Sequence, residues 1–320
     1  MEALHVSMRR ARPLLGAFVE ITVAGATIDA MEAAVEAAFS AVATVHRLMS
    51  FHEAGSDVSR LNREAASGAV RVHDWTYQVL EAACDLHGRS AGVFDISVVP
   101  ALQRLGLLPG VPGFAAASPG LRGEGLAASR EREKETLGAA HDAIQLLPEN
   151  QVRFADLGMK IDLGGIAKGF AVDRAVEALR HHGVKEGLVN AGGDLRAFGP
   201  RSHVVDIRDP RRPDRALCRV ALCNAALASS AGRFDPLRSR NPLSSGVIDP
   251  ATAMPAGSIS GATVCAPICT IADGLTKVVM NSGEAAAPIL EQFGADALFV
   301  SAHGDVHLTA DWKNEVHLAA

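Results

Sequence analysis

With 320 residues, 48% of them hydrophobic and 21% charged, the chain can build a sizeable core in one large domain or two ordinary ones. A net charge of −5 excludes the basic footprint of a nucleic-acid binder, and an aromatic fraction of 4% excludes the stacking platforms that grip single strands. Five cysteines, an odd number without CxxC spacing, exclude a disulfide framework and read as reduced core thiols.

The opening stretch, MEALHVSMRRARPLLGAFVEITV, carries Arg9, Arg10 and Arg12, but Gly16, Glu20 and Thr22 interrupt its apolar residues. It does not read as a secretory signal, and no apolar run reaches membrane-spanning length. The expectation is a cytoplasmic chain, or a periplasmic one whose signal was removed before this numbering begins. Residues 17–23 alternate as a strand does. A helix then opens at Asp29 and buries Met31, Val35, Ala38, Phe39, Val42 and Val45 at helical spacing. Residues 49–62, MSFHEAGSDVSRLN, read as irregular. A second helix is predicted from an Asp74 cap to about Ser90, burying Val79, Leu80, Ala83 and Leu86.

AGVFDISVVPAL, residues 91–102, reads as a turn entering an apolar segment that contains Asp95. A carboxylate among Val93, Phe94, Ile96 and Val98 needs a partner, because burying it alone is costly. It either caps a local turn or binds a ligand. The Pro-, Gly- and Ala-rich residues from 109 read as a flexible insertion extending to 140, with a solvated helix in SREREKETLGAA.

The second half is glycine-punctuated α/β. IDLGGIAKGFAVDRA, residues 161–175, runs from a strand into a helix over about 165–182 that buries Val172, Ala175, Val176 and Leu179. A helix start near Gly164 would leave the N–H groups of Gly164, Gly165 and Ile166 as orphan donors, a natural phosphate site. Lys168 in the first turn could neutralise a further phosphate, Asp162 could accept from a ligand, and Asp173 could pair with Arg174 or Lys168. A plain strand–helix turn with a solvated lysine fits the same residues. NAGGD, with Asn190, Gly192, Gly193 and Asp194, is either a hairpin or a close approach to a ligand. Strands follow at 203–210 and, as a pair, at 219–230. Residues 258–283 run from a strand into a helix, and a terminal hairpin turns at His303-Gly304. Asp273 opens the helix in ADGLTKVV. Either it forms an i,i+4 ion pair with Lys277, or its carboxylate binds a hard cation such as Mg²⁺.

Taken in order, these stretches resemble the ApbE family of flavin transferases, the FAD:protein FMN transferases, from about Arg12 to about Gly283. Arg12-Pro13 with Leu15-Gly16, MSFHEAGSDVSRLN, GVFDIS, LVNAGGDLRAFG, VIDPATAMPAG and ADGLTK each match a family segment loosely, whereas IDLGGIAKGFAVD matches closely. The resemblance implies a single α/β (α+β) domain over residues 1–320, built of antiparallel sheets with flanking helices, with FAD in a cleft between two lobes. It implies transfer of FMN from FAD to a Thr or Ser hydroxyl of a partner flavoprotein, with release of AMP and use of Mg²⁺. By position, Met49, Val93, Phe94, Asp95, Asp162 and Lys168 would bind FAD, Lys168 beside the pyrophosphate. Gly165 through its carbonyl and Asp273 through its carboxylate would hold the metal.

Three positions depart from the family pattern. Lys277 stands where the family has a threonine four residues after the metal aspartate, and Gly246 where it has a histidine proposed as the base. Ala231 replaces a glycine. The catalytic residue is therefore unassigned. Two alternatives stay open: an FAD pyrophosphatase that gives FMN and AMP, and an FAD-binding homologue without transferase activity.

Overall fold

The computed structural model describes residues 6–25, 27–109, 143–234, 243–310, 312 and 316–318. The insertion expected over 109–140 and the helix expected within it lie, apart from Pro109, outside the described residues.

The first hairpin pairs β1 (Val6–Leu14) with β2 (Ala17–Gly25). Helix α1 (Ile28–Met49) follows and buries all six apolar residues predicted for its inner face. Residues 49–62 are not wholly irregular, because α2 spans Asp57–Glu64. Ser56 caps it, its Oγ accepting the Ser59 N–H at 3.0 Å. Val58 and Leu61 are its only buried apolar residues, too few to display a period. After β3 (Val70–Arg71), α3 (Asp74–Arg89) buries Val79, Leu80, Ala83 and Leu86 as expected. Its cap is His73 rather than Asp74, with Nδ1 accepting the Trp75 N–H at 3.1 Å. A short α4 (Val99–Arg104) and the strands β4 (Ile144–Leu147) and β5 (Gln151–Phe154) lead to α5 (Ala167–His181).

The remainder is sheet, one long helix and a short helical stretch over residues 283–292. Strands β6 (Glu186–Ala191) and β7 (Asp194–Phe198) form a hairpin, as do β8 (His203–Asp209) and β9 (Arg212–Leu222). They are followed by β10 (Ala226–Phe234), β11 (Leu243–Ser245), the two-residue β12 (Ile248–Asp249) and β13 (Met254–Pro255), and β14 (Ile259–Ala266). Helix α6 (Cys269–Ser282) precedes the predicted terminal hairpin of β15 (Asp296–Ser301) and β16 (Val306–Leu308), and β17 is Val316–Leu318. A nine-stranded antiparallel sheet runs β1-β2-β6-β7-β10-β14-β15-β16, with β11 added to β10, and three smaller sheets flank it. Among the described residues, no helix is long and apolar enough to cross a membrane.

The large sheet is covered on both faces. Helices α1, α5 and α6 pack on one face around the main core. On the other, Leu195, Ala197, Leu227, Cys265 and Leu298 meet Ile207, Cys218, Val220 and Leu222 of the β8–β9 ribbon. Strand β7 shows the period of two: Leu195 and Ala197 face the ribbon, while Asp194, Arg196 and Phe198 face the helices. Asp194 pairs with Lys168 of α5, and Arg196 donates to Asp173 of the same helix at 2.8 Å. Two residues along a strand rise about 6.8 Å, and five along a helix about 7.5 Å, so the two ion pairs stand side by side. Asp173 therefore pairs across to the sheet, not with Arg174 or Lys168.

Helices α5 and α6 run antiparallel and approach closely at Gly169. A methyl group there would stand 2.2 Å from the Cys269 carbonyl oxygen and 2.8 Å from the Asp273 Cβ. Alanine in place of a helical glycine normally favours folding by about 1 kcal/mol. Here the obstruction is backbone, and overpacking of this kind costs about 1–3 kcal/mol or more. Gly169→Ala is expected to destabilise the protein by up to about 2 kcal/mol net. Urea unfolding at matched m-values checks this, and a stabilised variant would disprove the tight crossing.

Candidate functional site

The segments singled out by sequence converge on one cavity of about 250 Å³. Its wall includes Phe94 and Asp95, Asp162 with Gly164 and Gly165, Gly246 to Ile248, and Lys277. Backbone hydrogen bonds explain why these distant segments meet. The Asp162 N–H donates to the Ile96 carbonyl at 2.9 Å, joining the loops that carry Asp95 and Asp162. Asn62 of α2 grips the Ile161 backbone from both sides, donating to its carbonyl at 2.9 Å and accepting its N–H at 2.8 Å. The side chain of Asn281 on α6 donates to the Ile248 carbonyl at 3.1 Å. Asn62 and Asn281 position the site without lining it. SRLN, ending at Asn62, carried that signal in the sequence, but a role for its asparagine required knowing its partner.

Asp95 closes the local turn that was one of its two readings. Its Oδ1 accepts the Ser97 N–H at 2.7 Å, closing a local turn, while Oδ2 is buried with no hydrogen-bond partner among the described residues. Burial pushes its carboxyl above the ordinary aspartate value, with the Ser97 N–H and His87 partly offsetting the shift. Asp162 accepts the Gly164 N–H at 3.2 Å through Oδ2, and burial raises its carboxyl too. Gly164 is thus not an orphan donor, and the Ile166 N–H bonds the Leu163 carbonyl at 3.0 Å. The helix starts at Ala167, later than expected, because residues 163–166 form a turn.

The other sequence-predicted residues lie outside the wall of this cavity. Met49 is buried at the end of α1 in the main core, and Val93 is partly buried against that core. Lys168 is about one-third exposed and ion-paired to Asp194, whose side chain is 1% exposed. Burial disfavours the Lys168 charge, but Asp273 and Asp194 outweigh it and hold the ammonium above its ordinary value. Asp194 is the residue whose importance the sequence hid, since NAGGD read mainly as a turn.

Asp273 does not open its helix. Helix α6 begins at Cys269, which puts Asp273 in the second turn. It is fully buried, and both its oxygens are engaged. Oδ2 accepts the Gly169 N–H at 3.0 Å, while Oδ1 accepts from the Lys277 ammonium. Burial opposes its charge, but Lys168 and Lys277 pull its carboxyl below the ordinary range. The Lys277 Nζ also donates to the Asp273 carbonyl at 3.0 Å, and its Cε lies 3.3 Å from the point where a Cβ on Gly165 would sit. A divalent cation held between Gly165 and Asp273 would meet that ammonium. The residues present therefore do not fit a metal there, and among the described residues no group of three His, Cys, Asp or Glu side chains could hold one elsewhere. None of the five cysteines is in a disulfide.

A second cavity, about 840 Å³, lies on the ribbon side of the large sheet. Asn190, Gly192 and Gly193, the residues just before Asp194, line it, as does Ser230, whose Oγ lies 2.7 Å from the Thr276 Oγ1. Its volume falls in the range of small-molecule sites, roughly 300–1,000 Å³. The smaller cavity carries the convergent polar groups and is the better candidate for chemistry.

Comparison with known proteins agrees with the ordered motifs. The sequence pattern of the ApbE family matches residues 15–299. An FAD:protein FMN transferase of Treponema pallidum is 28% identical over 296 residues, covering 84% of this chain and 77% of the relative. One of Vibrio cholerae is 26% identical over 247 residues, covering 75% and 70%. The crystal structure of the ApbE protein of Thermotoga maritima superposes with a TM-score of 0.79 at 28% identity, covering 96% of this chain and 98% of the other.

The charged cluster generates a pH prediction. Burial, then the charge of Asp273, pushes the Asp194 carboxyl up to about 6 from 3.8, with Lys168 and Lys277 opposing the shift. A carboxyl whose folded value exceeds its unfolded one holds its proton more tightly when folded. Its stabilising contribution is full below 3.8 and is lost as pH rises through about 6. Wild type should therefore lose stability relative to Asp194→Asn as pH rises across that window. Denaturant unfolding of both proteins at acidic and neutral pH measures it. A difference that stays constant or grows with pH would show that Asp194 titrates as an ordinary surface carboxyl.

Proposed function

The chain belongs to the ApbE family, and from that premise we propose that it is an FAD:protein FMN transferase. FAD would be the substrate and a partner flavoprotein bearing a reactive Thr or Ser hydroxyl the acceptor. The observation that carries the reading is the meeting of Asp162, Gly164 and Gly165, from the closely matched IDLGGIAKGF segment, with Phe94, Asp95 and residues 246–248 around one cavity. Curated relatives bearing that activity support it.

In the reaction, the acceptor hydroxyl oxygen bonds the FMN phosphorus and the pyrophosphate P–O bond breaks. AMP leaves with the electron pair, and the hydroxyl gives up its proton. Such a transfer depends chiefly on positioning and on neutralising phosphate charge. Phe94 offers apolar surface, Asp162 and Asp95 offer acceptors for ligand N–H or hydroxyl groups, and Lys168 and Lys277 offer fixed positive charge.

The test is to incubate the purified chain with FAD, with and without a candidate acceptor domain, and to follow AMP release and covalent flavin on the acceptor. AMP formation that depends on the acceptor and matches the flavin attached is the expected result. AMP released equally without acceptor would replace the reading with FAD hydrolysis. FAD bound without AMP release would replace it with a binding role. Asp162→Ala should weaken FAD binding about tenfold, the loss of one good polar contact, as measured by quenching of flavin fluorescence.

A further inference from the structure

We infer that Lys277 is a built-in replacement for the divalent cation, and that its ammonium lets this chain engage the FAD pyrophosphate without a metal ion. The inference deepens the transferase reading and rests on it for the identity of the ligand.

The geometry of one side chain carries the argument. The Lys277 Nζ donates to the Asp273 Oδ1 and, at 3.0 Å, to the Asp273 carbonyl. Its stem lies over Gly165, with Cε 3.3 Å from the point where a Cβ there would sit. The ammonium therefore occupies the space between the two residues that would otherwise hold the cation. An ammonium has three donors. Two are spent on Asp273, and the side chain lines the cavity it shares with Asp95 and Asp162. The third is left for an oxygen of a bound ligand.

Charge balance points the same way. The buried carboxylates of Asp194 and Asp273 face the ammonium groups of Lys168 and Lys277. Two negative charges meet two positive ones, so these four groups balance, with the Asp162 carboxyl on the cavity side also within reach of Lys277. With a neutral residue at 277 the cluster would carry a net negative charge beside Gly165, the condition that draws in a cation. Lys277 fills that need covalently. Its side chain is 17% exposed and the Asp273 side chain 0%, so the pair is held in a protected setting where one charge has a long reach.

The test uses the full chain and the Lys277→Thr variant, with Mg²⁺ and FAD as probes. In wild type, FAD affinity should be the same in EDTA as in millimolar Mg²⁺, and Mg²⁺ titrated alone should give no binding heat. In Lys277→Thr, FAD affinity in EDTA should fall about tenfold or more and recover in Mg²⁺, and Mg²⁺ alone should bind. Lys277→Met, which keeps the stem but loses the charge, should show the same FAD loss and serves if the threonine variant does not fold. A wild-type FAD affinity that collapses in EDTA, or Mg²⁺ binding by wild type, would overturn the inference. Binding of FAD by none of the proteins would refute the flavin reading instead, and the Mg²⁺ titrations without FAD would then decide the role of Lys277.

Discussion

Helices α5 and α6 cap each other, and the site is built on that exchange. The first N–H groups of a helix have no partner inside it. The residues before these two helices, Ile166 and Ile268, have no side chain that can cap. The caps come from across the interface. Asp173 on α5 accepts the N–H groups of Cys269 and Thr270 at the start of α6, at 3.0 and 2.8 Å, and the Thr270 hydroxyl at 2.6 Å. Asp273 on α6 accepts the Gly169 N–H near the start of α5 at 3.0 Å. Each carboxylate also sits at the positive end of the partner helix. The contacts step antiparallel along both helices, from Asp173 against Cys269, through Gly169 against Asp273, to Gly165 against Lys277. Gly169 makes the approach close enough, since any side chain there would meet the Cys269 carbonyl.

That exchange determines where the charges go. A carboxylate buried to cap a helix needs compensation. Asp173 receives it from Arg196, and Asp273 from Lys277 and, at longer range, Lys168. Lys168 is also tied to Asp194, the strand neighbour of Arg196 on the same face of β7. A structural requirement at two helix starts thus draws a line of alternating charge along the helix–sheet interface, ending at the cavity. Lys168 in the first turn of α5, which a helix dipole alone disfavours, is stabilised by the carboxylates of Asp273 and Asp194 around it.

Much of the fold was legible because it rests on local periodicity. The buried faces of α1, α3 and α5 follow from spacing that any reader of the chain can see, whereas the order of the large-sheet strands is set by pairings distant in sequence. The errors fall where partners lie far apart in sequence. Helix α2 was missed because its signal is a cap more than an apolar stripe. The starts of α5 and α6 were misplaced because isoleucines occupy their cap positions, and the true caps lie about a hundred residues away. Asp173 read as a local ion-pair partner for the same reason, whereas the i,i+4 pair of Asp273 with Lys277 is present as read. Phe94, Asp95, Asp162 and Gly165 do share a wall, whereas Met49, Val93 and Lys168 lie off it. Of the larger cavity only NAGGD and Ala231 were singled out in sequence, since most of its wall comes from several strands distant in the chain.

Two of the departures from the family pattern, Gly246 and Lys277, open onto the same cavity, so they act on one environment. Gly246 presents no side chain to the wall, and Lys277 presents a positive charge to it. The titratable acceptors that the described wall offers in place of a histidine are Asp95 and Asp162. Burial raises both carboxyls, making each a stronger base than a free aspartate. The raised carboxylates of Asp95 and Asp162 and the ion-paired ammonium of Lys277 thus share one wall.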